Sequence, residues 1–406
     1  MPDPTSGKRI ILGVTGSIAA YKAADLASKL TQAGAEVDVI LTEAAQKFIT
    51  ALTFQSVTGR KAFTDADLWG GEGHVTHVAL GRSGDLFVIA PASANTIARL
   101  AQGICDNLLT VAALAAHCPM VIAPAMDAGM YSQPATQANV DLLKQRGAYL
   151  IGPSAGHLAS GLVGLGRMAE AVEIVGHIRF LLGRNGPLKG KKVIITAGGT
   201  HEAIDPVRVI TNRSSGRQGL AIAQAALDEG AEVILVAGPA ALETPYGVRR
   251  INIHTAAEMH EAVVGEMSGA FALIMAAAVA DFRPVRAASQ KIKKQQGLPE
   301  IKLEPTIDIL ADVAQRRSDT GFPHRVIGFA AESQELHQNA QAKLASKTLD
   351  MIVANDITAP DAGFEVPTNR VTLFFKDGLS ESLPTLSKAE VGEIIIQKII
   401  AMEGHL

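Results

Sequence analysis

The chain has 406 residues, 48% hydrophobic, 19% charged and 4% aromatic, with a formal net charge of −3. That length allows two or three domains at roughly 150 residues each, and the composition suits a sizeable packed core. The acidic balance and scarce aromatics argue against a basic nucleic-acid-binding face, and apolar runs of about 6–10 residues fall short of a bilayer span.

The opening "MPDPTSGKR" lacks a basic-then-apolar signal pattern, so a cytoplasmic chain is expected. "KRIILGVTG", "EVDVILTE", "DLFVIAPA", "PMVIAPAM" and "AYLIGP" read as strands buried on both faces of a parallel sheet. Between them, "AAYKAADLASKLTQAG" and "NTIARLAQGICDNLLTVAALAA" carry apolar residues at helical spacing. Cys105 and Cys118 form no disulfide framework and no zinc spacing, and read as small core residues. "LLGRNGPLKGKK" then breaks the pattern, which places a linker near Gly183 to Lys191. Beyond it the alternation restarts with "KKVIITAGGT", "AEVILVAGP", "FALIMAAAVA", "HRVIGFAAE", "LDMIVAND" and "NRVTLFFKDG" as strands. The expected fold class is α/β, with two doubly wound, mainly parallel-sheet (Rossmann-like) domains over residues 1–186 and 187–406.

The chemistry-bearing motifs sit where such strands end. Gly16-Ser17-Ile18 turns the first strand into a helix whose exposed N–H groups suit a phosphate, although neither G-x-G-x-x-G nor a P-loop is present. "PASANT" places Ser93, Asn95 and Thr96 at the end of another strand, where they cap a helix or line a pocket beside that first turn. "HVTHVALG" supplies His74 and His77, side chains that change charge near neutral pH. "APAMDAGMYSQPAT" offers Met126, Met130 and Tyr131 around a single acid, Asp127.

Together Gly16-Ser17-Ile18, His77-x-x-Leu80-Gly81, "PASANT", "DNL" and "PAM…MY" resemble the flavin-dependent cysteine decarboxylases. "TAGGTHEAIDPVRVITNRSSG", "AAAVADF", "KIKK", "DIL" and "GFAAE", in that order, resemble the phosphopantothenate–cysteine ligase domain. Nearly end to end, the chain is similar to the bifunctional phosphopantothenoylcysteine decarboxylase/phosphopantothenate–cysteine ligases of coenzyme A synthesis, and the resemblance implies a flavodoxin-like N-terminal domain.

For the second half, the resemblance implies CTP as activator. Phosphopantothenate attacks the α-phosphate, diphosphate leaves, and cysteine displaces CMP from the acyl cytidylate. "TNRSSGRQG" is a donor-rich loop fit for anions, and by resemblance Asn212 steadies the acyl-cytidylate step. Met275, Ala276, Ala277 and Asp281, with Ile307, Asp308, Ile309, Leu310 and Phe329, are implied to hold the cytidine. Lys291, Lys343 and Lys347 are implied to meet the phosphates; Lys343 and Lys347 share a helix face. A nucleoside triphosphate brings Mg²⁺, held largely by its own phosphates. The family often shows Asn-Pro-Asp where this chain has Thr306-Ile307-Asp308.

For the first half, the resemblance implies FMN. A cysteine carboxylate that loses CO₂ has no electron sink until the thiol side is oxidised to a thioaldehyde, and the hydride is later returned, so the reaction is redox-neutral. The FMN site is implied at Gly16, Ser17, Ile18, Thr42, Ser93, Asn95, Thr96 and Met126, with His77 as base or orienter. Asp127, Met130, Tyr131 and Arg167 are implied to hold the substrate. Two departures stand out. Asp127 replaces a common Asn, and apolar burial beside a substrate anion would favour its protonated form. Ser160 replaces the cysteine that protonates the enethiolate in "GHLASGLVGLGRMAE", the mobile flap; serine is the weaker acid. An alternative reading is an active ligase fused to an FMN-binding domain with weak or no decarboxylation; an NAD oxidoreductase is disfavoured by the missing fingerprint. Flavin pockets formed between subunits imply a homo-oligomer.

Overall fold

The computed structural model describes residues 3–69, 75–240, 242–293, 300–332, 336–356 and 366–405. The chain divides into two compact units between Leu182 and Gly183; the boundary read from sequence lies at 186/187. Among the described residues no helix is long and apolar enough to cross a membrane.

The first unit is built on β1 (Arg9–Val14), β2 (Glu36–Leu41), β3 (Ala62–Phe63), β4 (Leu86–Ala92), β5 (Met120–Pro124) and β6 (Tyr149–Leu150), all parallel in the order β3-β2-β1-β4-β5-β6. The strand runs are apolar at nearly every position because both faces are covered. Ile10, Leu12 and Val14 of β1 pack on one side with Leu26 and Leu30 of α1 (Ala20–Gln32), and Ile11 packs on the other with Ile97, Leu108 and Val140. Each such fully buried aliphatic side chain contributes about 1.5–3 kcal/mol. After α2 (Ala51–Thr58) and α3 (Thr76–Ser83), the stretch expected to be helical throughout from Asn95 to Ala116 is two helices, α4 (Ala94–Gln102) and α5 (Leu108–Ala115). Gly103 ends the first in a left-handed conformation (φ 71°), and the Asn107 side chain accepts from Thr110 N to start the second. α6 (Ala128–Ser132) and α7 (Pro134–Gln145) follow β5. The segment read as a flap is an antiparallel hairpin, β7 (Ser154–His157) and β8 (Val163–Arg167), and α8 (Ala171–Gly183) ends at the division.

The second unit begins with β9 (Lys192–Ala197), the hairpin β10 (His201–Ala203) and β11 (Val209–Thr211), and α9 (Arg217–Asp228). Then come β12 (Glu232–Ala237), β13 (Arg249–Asn252), α10 (Ala256–Glu266), β14 (Ala270–Met275), β15 (Phe282–Pro284), β16 (Leu303–Pro305), α11 (Ile309–Thr320), β17 (Arg325–Glu332), α12 (Leu336–Ser346) and β18 (Met351–Asp356). The chain ends with β19 (Thr368–Asn369), β20 (Val371–Phe375), β21 (Ser380–Ser382), β22 (Leu386–Ser387) and α13 (Lys388–Ala401). The main sheet runs β13-β12-β9-β14-β17-β18-β20-β21, parallel as far as β18 and antiparallel beyond. In both units the chain reverses its direction of sheet growth beside the first strand, between β1 and β4 and between β9 and β14, where α/β sheets open a crevice at their carboxyl edge.

Candidate active sites

In the first unit the β1 and β4 tips are stitched by a residue the sequence did not single out. Thr15 Oγ1 donates to Pro91 O (2.7 Å) and accepts from Ser93 N (2.9 Å), so the Gly16 and Ser93 loops lie side by side. Ser17 Oγ accepts from Ala19 N at 3.2 Å, while Ile18 is exposed. A Cβ at Gly16 would stand 2.5 Å from the Ala44 side chain, so only glycine lets this loop approach the turn after β2. Thr42, in that turn, is buried and accepts from Ala45 N. Ser93 caps α4 by accepting from Thr96 N; Thr96 is buried and Asn95 is exposed. His77 lies on α3, and its Nδ1 is buried with no hydrogen-bond partner, one of two such side-chain atoms among the described residues. An orphaned buried ring nitrogen is costly unless a ligand satisfies it. His74 lies outside the described residues.

The loop after β5 and the hairpin meet through backbone. Met126 N donates to Gly166 O (3.0 Å), and a Cβ at Gly166 would collide with Met126 O. Gly164 likewise faces Ala128. Gly166→Ala is therefore expected to lift β8 from this loop and cost about 1–3 kcal/mol, measured as a lower melting temperature; an unchanged melt would contradict the packing.

Asp127 corrects an expectation. It is only half-buried, caps α6 through Gly129 N (2.9 Å), and accepts from Ser160 Oγ at 2.6 Å. The Ser160 hydroxyl, then the Gly129 amide, hold its carboxyl below the usual range, so the side chain is ionised rather than protonated. A folded pKa below the unfolded one means that this pair stabilises the hairpin above the ordinary carboxylate pKa and loses that contribution as pH falls through the depressed value. Ser160→Ala is expected to return the Asp127 titration toward the ordinary carboxylate range, read by carboxyl ¹³C shifts; an unmoved titration would deny the pairing. Met130 is exposed, Tyr131 packs on the core beside α7, and Arg167 of β8 pairs with Glu170 (3.2 Å).

In the second unit a cavity of about 920 Å³ opens at the tips of β14, β17 and β18. Its floor is the Ala276–Asp281 loop, pinned from below by two fully buried hydroxyls: Thr196 Oγ1 accepts from Ala277 N and Thr200 Oγ1 from Ala280 N, both at 3.0 Å. Asn212, beyond β11, donates from Nδ2 to Val279 O (2.8 Å), which sets its amide against the same loop. Thr306 Oγ1 donates to Ala280 O (2.6 Å) and carries Ile307 and Asp308 to the rim. Asp308 caps α11 and pairs with Lys347. Burial pushes its carboxyl up, but the Lys347 ammonium and the Ala311 N–H outweigh burial and hold it below the usual range.

The cavity gathers Asn212 and eleven of the twelve residues expected around the nucleotide: Met275, Ala276, Ala277, Asp281, Ile307, Asp308, Ile309, Leu310, Phe329, Lys343 and Lys347. Lys291 is exposed and not among the lining residues; the neighbouring Ile292 N donates to Asp205 Oδ2 (3.2 Å). Asn355 was missed. It lines the cavity, its Oδ1 is buried and without a partner, and an Asn near the end of the strand "MIVAND" was the only available sign.

A family model described as "Flavoprotein" matches residues 2–183, and one described as "DNA/pantothenate metabolism flavoprotein C-terminal domain" matches 188–402. The "Coenzyme A biosynthesis bifunctional protein CoaBC" of Bacillus subtilis (strain 168) is 44% identical over 400 residues, covering 98% of both chains. The chain belongs to the coenzyme A biosynthesis bifunctional proteins. The protein of the same printed name in Mycobacterium tuberculosis (strain CDC 1551 / Oshkosh) is 42% identical to this chain over 405 residues, 97% of this chain and 96% of that one. The crystal structure of the C-terminal domain of a CoaBC protein aligns at 40% identity and a TM-score of 0.47, covering 54% of this chain and all of that one. The protein is a bifunctional enzyme of coenzyme A biosynthesis: a doubly wound flavoprotein domain precedes the pantothenate-metabolism domain.

Proposed function

We propose that the cavity of the second unit ligates cysteine to 4'-phosphopantothenate at the expense of CTP, and that the first unit, with FMN, decarboxylates the product to 4'-phosphopantetheine. Ligase and decarboxylase activities are those of the family. The observation that carries the ligase assignment is that one cavity gathers eleven of the twelve residues which the family resemblance placed around the nucleotide.

Chemically, a substrate carboxylate oxygen forms a bond to the α-phosphorus as the bond to diphosphate breaks. The cysteine amine then attacks the acyl carbon, CMP leaves, and an amide remains. Asn212 spends one amide hydrogen on Val279 O and keeps its second for charge developing on the acyl cytidylate. Small side chains at Ala276 and Ala277 let a base approach the backbone. Mg²⁺ accompanies the triphosphate, bound mainly through phosphate oxygens.

The first unit fits FMN by its own features: a glycine-only approach at Gly16, the α4 cap at Ser93, and the unsatisfied His77 Nδ1. Gly16, Ser17, Thr42, Ser93 and Thr96 would hold its phosphate end, with Met126 against the ring. Bound FMN supplies reversible two-electron acceptance. His77 orients substrate or holds a proton at Nδ1. Ionised Asp127 repels a substrate carboxylate, so we assign it to holding the Ser160 hydroxyl and the hairpin turn rather than to gripping that carboxylate. A homo-oligomer that completes the flavin pocket belongs to this reading.

Purified protein is expected to be yellow, to release FMN on denaturation, and to form diphosphate from CTP only when phosphopantothenate is present. Colourless protein that leaves CTP intact would overturn both assignments.

A further inference from the structure

We propose that Thr15 is the positioning residue for phosphate recognition in the first unit, fixing the spacing of the two loops that would share the FMN phosphate. This rests on the FMN reading above and names the residue on which a preference for the phosphorylated flavin depends. Thr15 follows β1 and is only 1% exposed. Its hydroxyl donates to Pro91 O (2.7 Å) and accepts from Ser93 N (2.9 Å), so its one hydrogen is committed to the protein and not to a ligand. On one side of this brace lie Gly16 and Ser17, leading into α1, which begins without a side-chain cap. On the other side Ser93 caps α4, and its Oγ lies 3.2 Å from Thr96 Oγ1. Helix starts attract phosphate, and Thr15 joins the approaches to both.

The need for such a brace follows from charge. Gly16, Ser17, Thr42, Ser93 and Thr96 are all uncharged, so they would meet a phosphate with hydroxyl and backbone dipoles. A hydrogen bond weakens steeply with misalignment, whereas an ammonium acts as a point charge and tolerates it. Neutral donors therefore hold a phosphate well only when their positions are set beforehand, which also spares the cost of ordering them at binding. The brace reaches the third loop as well: Gly16 packs on Ala44, in the turn that carries Thr42. Thr15→Val keeps the β-branched shape and the backbone bond from residue 15 N to Pro91 O (3.3 Å), and loses the two hydroxyl bonds. Ser93 N is then left without its acceptor, and the α4 cap is free to move away from the Gly16 turn.

FMN and riboflavin share the ring and the ribityl chain and differ by the phosphate, so the ratio of their affinities isolates this end of the site. With the full chain freed of flavin, Kd values for both are measured by fluorescence titration for wild type, Thr15→Val and Thr15→Ser. Thr15→Val is expected to raise the FMN Kd by about tenfold or more while the riboflavin Kd stays within about twofold of wild type, and Thr15→Ser to recover most of the loss. An FMN Kd within about twofold of wild type, or equal weakening of both flavins, would overturn the proposal, the second because general loosening of the fold does not distinguish the phosphate. Should Thr15→Val not fold, hydrogen exchange at the Ser93 amide of the flavin-free wild type decides: protection before any flavin is added supports the brace, and fast exchange that slows only when FMN binds refutes it. A wild type that binds FMN no better than riboflavin would instead sink the placement of the phosphate at these loops, and one that binds neither would sink the FMN reading itself.

Discussion

Asn212→Asp is expected to lower the ligase kcat by roughly 10²–10³-fold, the effect of removing one well-placed donor to developing negative charge. The substitution keeps the volume and replaces the Nδ2 donor with an acceptor. That removes the 2.8 Å bond to Val279 O, turns two acceptors toward each other, and adds a negative charge where the cytidylate gathers its own. Diphosphate and CMP release, followed separately, locate the loss. Decarboxylation of supplied phosphopantothenoylcysteine should keep its wild-type rate, because it runs on the other unit. Near-normal ligation by Asn212→Asp would make this amide a spectator.

His77→Gln should slow decarboxylation by about 10²–10⁴-fold, the range for removal of a positioned acid–base group, while ligation continues. Glutamine keeps polarity at the start of α3 but cannot hold and release a proton. The buried Nδ1 without a partner is the structural reason to expect the loss. Flavin absorbance after gel filtration shows whether the cofactor stays bound: retained flavin with lost CO₂ release supports the role, and a rate within a few-fold of wild type denies it.

Much of the architecture was legible because strand burial leaves a local record. Ile10, Ile11 and Leu12 are all apolar since β1 has covered faces on both sides, and such a run is hard to mistake. The break at Gly103 was less visible: apolar spacing continues across it, while the left-handed turn and the Asn107 cap that separate the helices depend on backbone geometry. Residues gathered at the cavity of the second unit could be anticipated through the resemblance of the ordered motifs to the ligase family. Long-range pairs could not. Ser160 meets Asp127 only because the hairpin doubles back, and that contact holds the carboxyl below its usual range where its apolar sequence neighbours suggested a shift the other way. Thr15 stitches β1 to β4, and Lys388 reaches α9 from near the other end of the domain. Neither relation has a signature within a sequence window.

The most direct test of the account as a whole supplies CTP, 4'-phosphopantothenate and carboxyl-labelled cysteine to the FMN-loaded enzyme and follows diphosphate and labelled CO₂ in the same vessel. Release of both, with CO₂ lagging and then matching diphosphate one for one, is the predicted result. Diphosphate without CO₂ would contradict turnover in the flavoprotein half, and release of neither would contradict the two-step assignment.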